Sequence, residues 1–428
     1  MFPGVFEHLL YQYTSAILSV GFLIFNGLFA VIYNPKKVVG IKGDPDYTFT
    51  DITVLIPVYN EVEDIFRKVI KSVSSMGLKF VVVGDGVDQP YRAITEQNGG
   101  IFIRLEERRG KRFALSEGMR YIDTRLVLLL DSDTFIDKRS LERMLSYMAE
   151  DVGGVSPSIR VWNNGKISYY YANFYEIMSE IVNRATSYFG RTIILSGQCV
   201  LYKTSAIRNY VMSNDFTSSK IFNISLKISD DRDLTEYIIE RGYKAIKAID
   251  AIAYTKPPEN LSQFVKQVVR WTRANYLFFL RSLRDGSLSL RGNLYVFDII
   301  YMNFLPILVI FSLIPLQYPR FDIFNTLSAS ITSLERLDIF QLILGIPIRA
   351  HLPPFDFVLV FILPRVLSII GGVTFLLVMI KIMEKERGKT LMYGVIALIV
   401  QSLASFYSIA SMWKQSWSSR EKNRKSKK

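Results

Sequence analysis

Apolar residues fall into two kinds of block along this chain. Between Asp51 and Lys256, short apolar runs alternate with stretches in which apolar residues recur every three or four positions. Ile52–Pro57, Lys79–Val83 and Ile101–Arg104 read as strands, and so does the run from Leu126 that ends at Asp131. Between them the 3.6-residue period predicts helices. One opens at Tyr59-Asn60-Glu61 and carries Ile65, Phe66, Val69, Ile70 and Val73 on one side. Others run from Lys111 to about Ile122 and from about Lys138 to Ala149. A repeated β-α alternation predicts an α/β domain with a mostly parallel, nucleotide-binding sheet.

At the two ends the apolar runs are too long for strands. Leu9–Pro35 has no charged side chain and exceeds the roughly 20 residues a helix needs to cross a bilayer. Lys36, Lys37 and Lys42 follow it, the pattern of a retained anchor whose following domain is cytoplasmic. Further spans are predicted at Ile299–Tyr318, Phe357–Ile380 (interrupted by Pro364-Arg365) and Leu391–Trp413. Ile339–Ile348 is too short to cross. Three crossings would put the basic tail from Lys414 outside, although its charges belong inside. A re-entrant segment, or a further span between Phe321 and Ile348, would resolve the conflict. Leu261–Arg284 is amphipathic and mixes aromatics with Lys266, Arg270, Arg273, Arg281 and Arg284, as a helix lying in the membrane interface would. The expected organisation is an anchor (1–45), a cytoplasmic domain (46–260), an interface helix (261–290), a membrane region (291–413) and a basic tail (414–428), hence a multi-pass protein of the cell membrane.

Composition narrows the chemistry. A net charge of +13 calls for anionic partners, and cations flanking apolar spans favour a bilayer over nucleic acid. One cysteine, Cys199, excludes an intramolecular disulfide. The two histidines, His8 and His351, lie far apart, which speaks against a Ser-His-Asp triad or a histidine zinc site.

The chemistry-bearing groups fall where strands end. Asp131 and Asp133 follow the Leu126–Leu130 run, at the edge where α/β sheets hold ligands. Two acids so close repel each other unless a cation is near, and they suit magnesium or manganese on a diphosphate. The alternative is a plain turn with Asp133 capping the next helix. Pro57, Tyr59 and Glu61 stand where a base and ribose could lie, and Asp85 could accept hydrogen bonds from the base. Lys111-Arg112 could neutralise a diphosphate, or be a solvated basic pair. Asp230 and Asp231 sit beside Arg232, an arrangement that can keep one carboxylate ionised and ready to take a proton. Gln267, Arg270 and Trp271, at i, i+3 and i+4, share one helix face.

Six of these pieces recur together in one order: Ile-Pro-Val-Tyr-Asn-Glu (56–61), Arg-Gly-Lys-Arg (109–112), Asp-Ser-Asp (131–133), Ser-Gly-Gln-Cys (196–199), Asp-Asp-Arg-Asp-Leu-Thr (230–235) and Gln-Val-Val-Arg-Trp (267–271). In this the chain resembles the membrane-embedded family-2 glycosyltransferases, the hyaluronan, chitin and cellulose synthases, over roughly Asp51 to Arg284. The resemblance implies a GT-A-like fold. It also implies inverting transfer of a sugar from a UDP-sugar, UDP-N-acetylglucosamine among the candidates, to a growing polysaccharide, coupled to export. The similar ceramide glucosyltransferases, which add one sugar to a lipid, share Gln-x-x-Arg-Trp. By resemblance, Asp85 binds the nucleobase and Asp131 the donor's nucleoside or sugar, while Asp133 holds the metal. Asp231 is the base, with Asp230 beside it; Arg270 contacts the diphosphate, Trp271 lies under the acceptor sugar, and Cys199 is near the acceptor. Two features depart from the pattern: Gly84 stands where relatives often carry a second acid, and one N-terminal span is found where hyaluronan synthases have two.

Overall fold

A computed structural model describes residues 18, 20–39, 47–222, 224–226, 228–302 and 363–414. The chain forms two compact units, one of Leu28–Val296 with Lys381–Lys428 and one of Met1–Gly27 with Phe297–Ile380.

The larger unit is built on an eight-stranded sheet. Its strands in chain order are β1 (Ile52–Val58), β2 (Lys79–Asp85), β3 (Ile101–Leu105), β4 (Leu126–Leu130), β5 (Thr134–Ile136), β6 (Val152–Val161), β7 (Cys199–Lys203) and β10 (Lys244–Thr255). Two-residue strands β8 (Lys220–Ile221) and β9 (Ile224–Ser225) pair separately. The sheet order is β3-β2-β1-β4-β7-β6-β10-β5. The first four strands are parallel, as the β-α alternation predicts. β7 then enters antiparallel between β4 and β6, and β10 resumes parallel to β6. The carboxyl ends of β1, β2, β4, β6 and β10 thus share one edge.

β4 is buried at every position. Its alternate residues serve two cores. Leu126, Leu128 and Leu130 join Phe66, Val69 and Ile70 of the Glu63–Ser75 helix on one face. Val127 and Leu129 join Ala114, Leu115 and Met119 of the Lys111–Met119 helix, and Leu234 and Ile238 of the Asp230–Glu240 helix, on the other. A strand apolar on both sides needs helices on both sides, which is why its sequence is a continuous run.

The predicted membrane elements are partly in view. Arg387–Ile409 is long and apolar enough to cross a bilayer; Val20–Ile32, Asn293–Met302 and Ile369–Ile382 are shorter apolar helices. Arg387–Ile409 packs small residues, Gly394, Ala397, Ala404 and Ser408, on the Ile167–Ser187 and Leu261–Asp285 helices. Its other side leaves Met392, Val395, Ile399 and Leu403 more than half exposed. The first part of the span predicted at Leu9–Pro35, most of that at Ile299–Tyr318, the segment Ile339–Ile348 and nearly all of the basic tail lie outside the described residues.

The Leu261–Asp285 helix packs part of its apolar side within the protein. Phe264, Leu277 and Phe278 are buried within the protein. Arg281 also turns inward, to Asp233 at 2.8 Å and Glu236 at 2.5 Å. Buried acids on the neighbouring helix hold this cation more strongly than a headgroup layer could, because they lie in a lower dielectric.

Candidate active site

The cleft forms where the ends of β1 and β4 meet two helix starts and the loop before β7. It is lined by Pro57, Lys111, Asp131, Gly197, Tyr202, Asp230 and Asp231 on an apolar floor of Leu129, Leu130, Val200 and Leu234. Pairing of β4 with β7 places Leu130 opposite Cys199, so the Ser196–Gln198 loop lies against Asp131. The Asp131 N–H donates to the Gln198 carbonyl at 2.9 Å.

Lys111 ties the cleft together. Its Nζ lies 2.7 Å from Asp131 Oδ1 and 3.3 Å from Asp230 Oδ2, and donates to the Gly197 carbonyl at 3.4 Å. Burial works against the ammonium, but Asp131, Asp230 and Asp231 outweigh it and raise the Lys111 pKa. Asp131 titrates above its ordinary range, first through burial and then, against the pull of Lys111, through repulsion from Asp133 and Asp230. Asp231 accepts from the Gly197 N–H at 3.2 Å and from its own helix's Arg232 N–H at 2.9 Å. Burial first, then Asp230, pushes its carboxyl up to about 6 against Lys111 and those two amides. A carboxylate poised there is suited to taking a proton near neutral pH.

Two glycines explain local choices. At Gly197 an added Cβ would stand 2.8 Å from Asp231 Cβ, so only glycine lets this loop hold the carboxylate. Gly197→Ala is therefore expected to displace Asp231 and lower turnover by about tenfold or more, measured as initial rates of sugar transfer; an unchanged rate would show that the contact is dispensable. At Gly84 a Cβ would meet the Val87 carbonyl at 2.3 Å and the Phe102 ring at 2.7 Å, which leaves no room there for the second acid of related sequences.

Other expected site residues are placed differently. Arg112 is 4% exposed and does not face the cleft. It binds Asp233 at 2.6 Å and the Phe216 carbonyl at 3.1 Å. Adjacent helix positions point about 100° apart, so Lys111 enters the cleft while Arg112 turns to Asp233. Cys199 is wholly buried and joins the core on one face of the sheet, beside Asp131. Asp85 lies under the basic loop, accepting from the N–H groups of Arg109 at 2.7 Å and Gly110 at 3.0 Å. Glu61 is buried; its carboxylate accepts from the Val62 N–H, and its carbonyl from the Tyr91 hydroxyl. Arg108 stacks 4.2 Å over Tyr59. Trp271 stacks on Tyr175, with 5.4 Å between centroids, and shares its partly exposed helix face with Gln267 and Arg270. Tyr202 and Tyr175 were not expected from the sequence, and Gly197 was singled out only as part of Ser-Gly-Gln-Cys (196–199), with no role of its own. For Gly197 the signal was the Ser-Gly dipeptide before Cys199; nothing comparable marked the tyrosines.

Asp133 follows Asp131 at the same edge, and its charge is felt by Asp131. Among the described residues no group of three or more acidic, histidine or cysteine side chains is arranged to enclose an ion. Magnesium and manganese are commonly held by one or two carboxylates together with substrate phosphates. Asp133 and Asp131 are the groups that would hold such an ion.

A mixed α/β sheet with carboxylates at its carboxyl edge, on a helix start and beside a lysine, defines a nucleotide-sugar-binding glycosyltransferase core. Residues 53–211 match the family model described as Glycosyl transferase family 2, so this segment is a family-2 glycosyltransferase domain. It is 26% identical over 276 residues to an N-acetylglucosaminyltransferase of Azorhizobium caulinodans, covering 61% of this chain and 67% of that one. It is 26% identical over 256 residues to poly-beta-1,6-N-acetyl-D-glucosamine synthase of Staphylococcus aureus (57% of this chain, 59% of the relative). Against hyaluronan synthase 2 of Bos taurus it is 27% identical over 206 residues, 47% of this chain and 36% of the relative. The fold is shared with the mannosyltransferase PcManGT of Pyrobaculum calidifontis, solved with GDP-Man and Mn2+, at a TM-score of 0.52 and 16% identity, covering 85% of this chain and 99% of that one.

Proposed function

We propose that this glycosyltransferase moves a sugar from a UDP-sugar to the end of a growing polysaccharide, with inversion, at the cytoplasmic face of a membrane. The observation that carries the reading is the convergence of Asp131, Lys111, Asp230 and Asp231 within one cleft. Asp131 and Asp133 bind the donor side. A divalent ion bound there supplies neutralisation of the diphosphate leaving group. Lys111 adds a positive charge on the same side, and Asp85 supports the donor's nucleoside indirectly by anchoring the Arg109–Gly110 loop. Asp231 takes the proton of the acceptor hydroxyl as that oxygen attacks the anomeric carbon and the nucleoside diphosphate departs. Trp271, flat on Tyr175, offers an aromatic surface for the acceptor sugar. The bare apolar side of Arg387–Ile409 suits lipid contact. The polysaccharide synthases among the relatives support a polymeric acceptor.

The base reading fixes a pH dependence. Asp231 works ionised, so transfer is expected to fall as pH drops through about 6. A rate profile that stays flat across that range would remove Asp231 from the role.

The test of the function is a donor panel: purified protein in detergent, radiolabelled UDP-sugars, and products sized by gel and by lipid extraction. A ladder or high polymer from one donor is the expected result. A single sugar on extracted lipid would replace the polymer reading with lipid glycosylation, and no turnover with any UDP-sugar would overturn the donor assignment.

A further inference from the structure

We infer that Lys111 is a built-in counter-cation that competes with the divalent ion, so that ion and donor together displace it from Asp131. This rests on the metal reading above.

An ammonium has three N–H groups. Lys111 spends contacts on three acceptors from three parts of the chain: Asp131 at the end of β4, Asp230 at the start of its helix and the Gly197 carbonyl before β7. Its side chain is 19% exposed, so the charge is set into the cleft and not solvated above it. It thereby neutralises part of a group of acids that would otherwise repel one another. The backbone beneath it is fixed, because Asp85 holds the amides of Arg109 and Gly110 just before the helix. The lysine stem remains a flexible four-carbon arm, able to trade one anionic partner for another.

Two consequences follow. A divalent ion approaching Asp131 meets a positive charge already bound to it, so ion binding alone is weak. A nucleoside diphosphate brings negative oxygens to which the ammonium can move, releasing Asp131 to the ion. Ion and nucleotide therefore bind cooperatively, and each strengthens the other by the same factor. The same movement frees Asp230 beside the base Asp231, which ties availability of the acceptor machinery to arrival of the donor.

The test is Mn2+ binding followed by electron paramagnetic resonance, with Mn2+ alone and with UDP. Wild type is expected to bind Mn2+ weakly alone and much more tightly with UDP. Lys111→Gln is expected to bind Mn2+ alone at least about tenfold tighter and to lose most of the enhancement by UDP, while Lys111→Arg, which keeps the charge, behaves as wild type. Unchanged or weaker Mn2+ affinity in Lys111→Gln, with wild type still binding Mn2+ in the presence of UDP, overturns the inference alone. Failure of wild type to bind Mn2+ even with UDP overturns the metal reading and the inference with it.

Discussion

Asp231→Asn is expected to lower sugar transfer by about 10²–10⁴-fold while nucleotide binding stays within about twofold of wild type. The amide keeps the shape of the carboxylate and can accept from one of the Gly197 and Arg232 N–H groups, but it cannot take the acceptor proton. Donor binding survives because the donor-side groups, Asp131, Asp133 and Lys111, are untouched. Asp230→Asn separates the two neighbours. Asp230 lies 3.3 Å from the Lys111 ammonium and raises the Asp231 pKa, so its loss is expected to shift the acid limb of the rate profile downward and leave the maximal rate closer to wild type. Initial rates at saturating donor, with nucleotide affinity measured by calorimetry on the same samples, check both. A wild-type rate in Asp231→Asn would transfer the base assignment elsewhere.

The largest expected effect on stability lies behind the cleft. Asp233 is 1% exposed and takes Arg112 on one oxygen at 2.6 Å and Arg281 on the other at 2.8 Å. Burial opposes its charge, yet the two guanidinium groups hold its carboxyl below the usual range. The network continues through Glu236 to Arg281 and to Arg232, which also reaches Asn275 and Tyr295. It joins the Lys111–Met119, Asp230–Glu240 and Leu261–Asp285 helices, so it sets the frame in which Lys111 and Asp230 meet. Asp233→Ala leaves buried Arg112 without a carboxylate and Arg281 with Glu236 alone, and breaking a buried pair in this way costs about 3–5 kcal/mol. A clearly lowered midpoint of thermal unfolding in detergent is the expected reading. A midpoint within a degree of wild type would show that the network is not what fixes these helices.

The sequence made the parallel half of the sheet legible because its strands end on chemistry. Leu126–Leu130 is apolar throughout and stops at an aspartate, and the strands at Ile52, Lys79 and Ile101 and the helices after the first and third of them follow their periods, whereas the short helix Tyr91–Gln97 was not read. The antiparallel insertion of β7 was not legible. Its five residues, Cys199–Lys203, carry no turn signal that reveals pairing with both β4 and β6, since such pairing depends on contacts distant in sequence. The site was legible as a set of residue types and less so as a geometry. Lys111 and Arg112 look equivalent in sequence, and only the helix phase sends one to the cleft and the other to Asp233. Cys199 sits inside a motif, but strand alternation turns its side chain into the core. Arg281 reads as a surface cation until the buried acids on the neighbouring helix are seen.

The central claim is a single displacement at the anomeric carbon, driven by Asp231 with no covalent sugar–enzyme intermediate. Its most direct measurement is the configuration of the newly formed linkage, read by NMR from the anomeric proton coupling of product made with the α-linked donor that supports turnover. A β linkage is the predicted result; an α linkage would contradict the account.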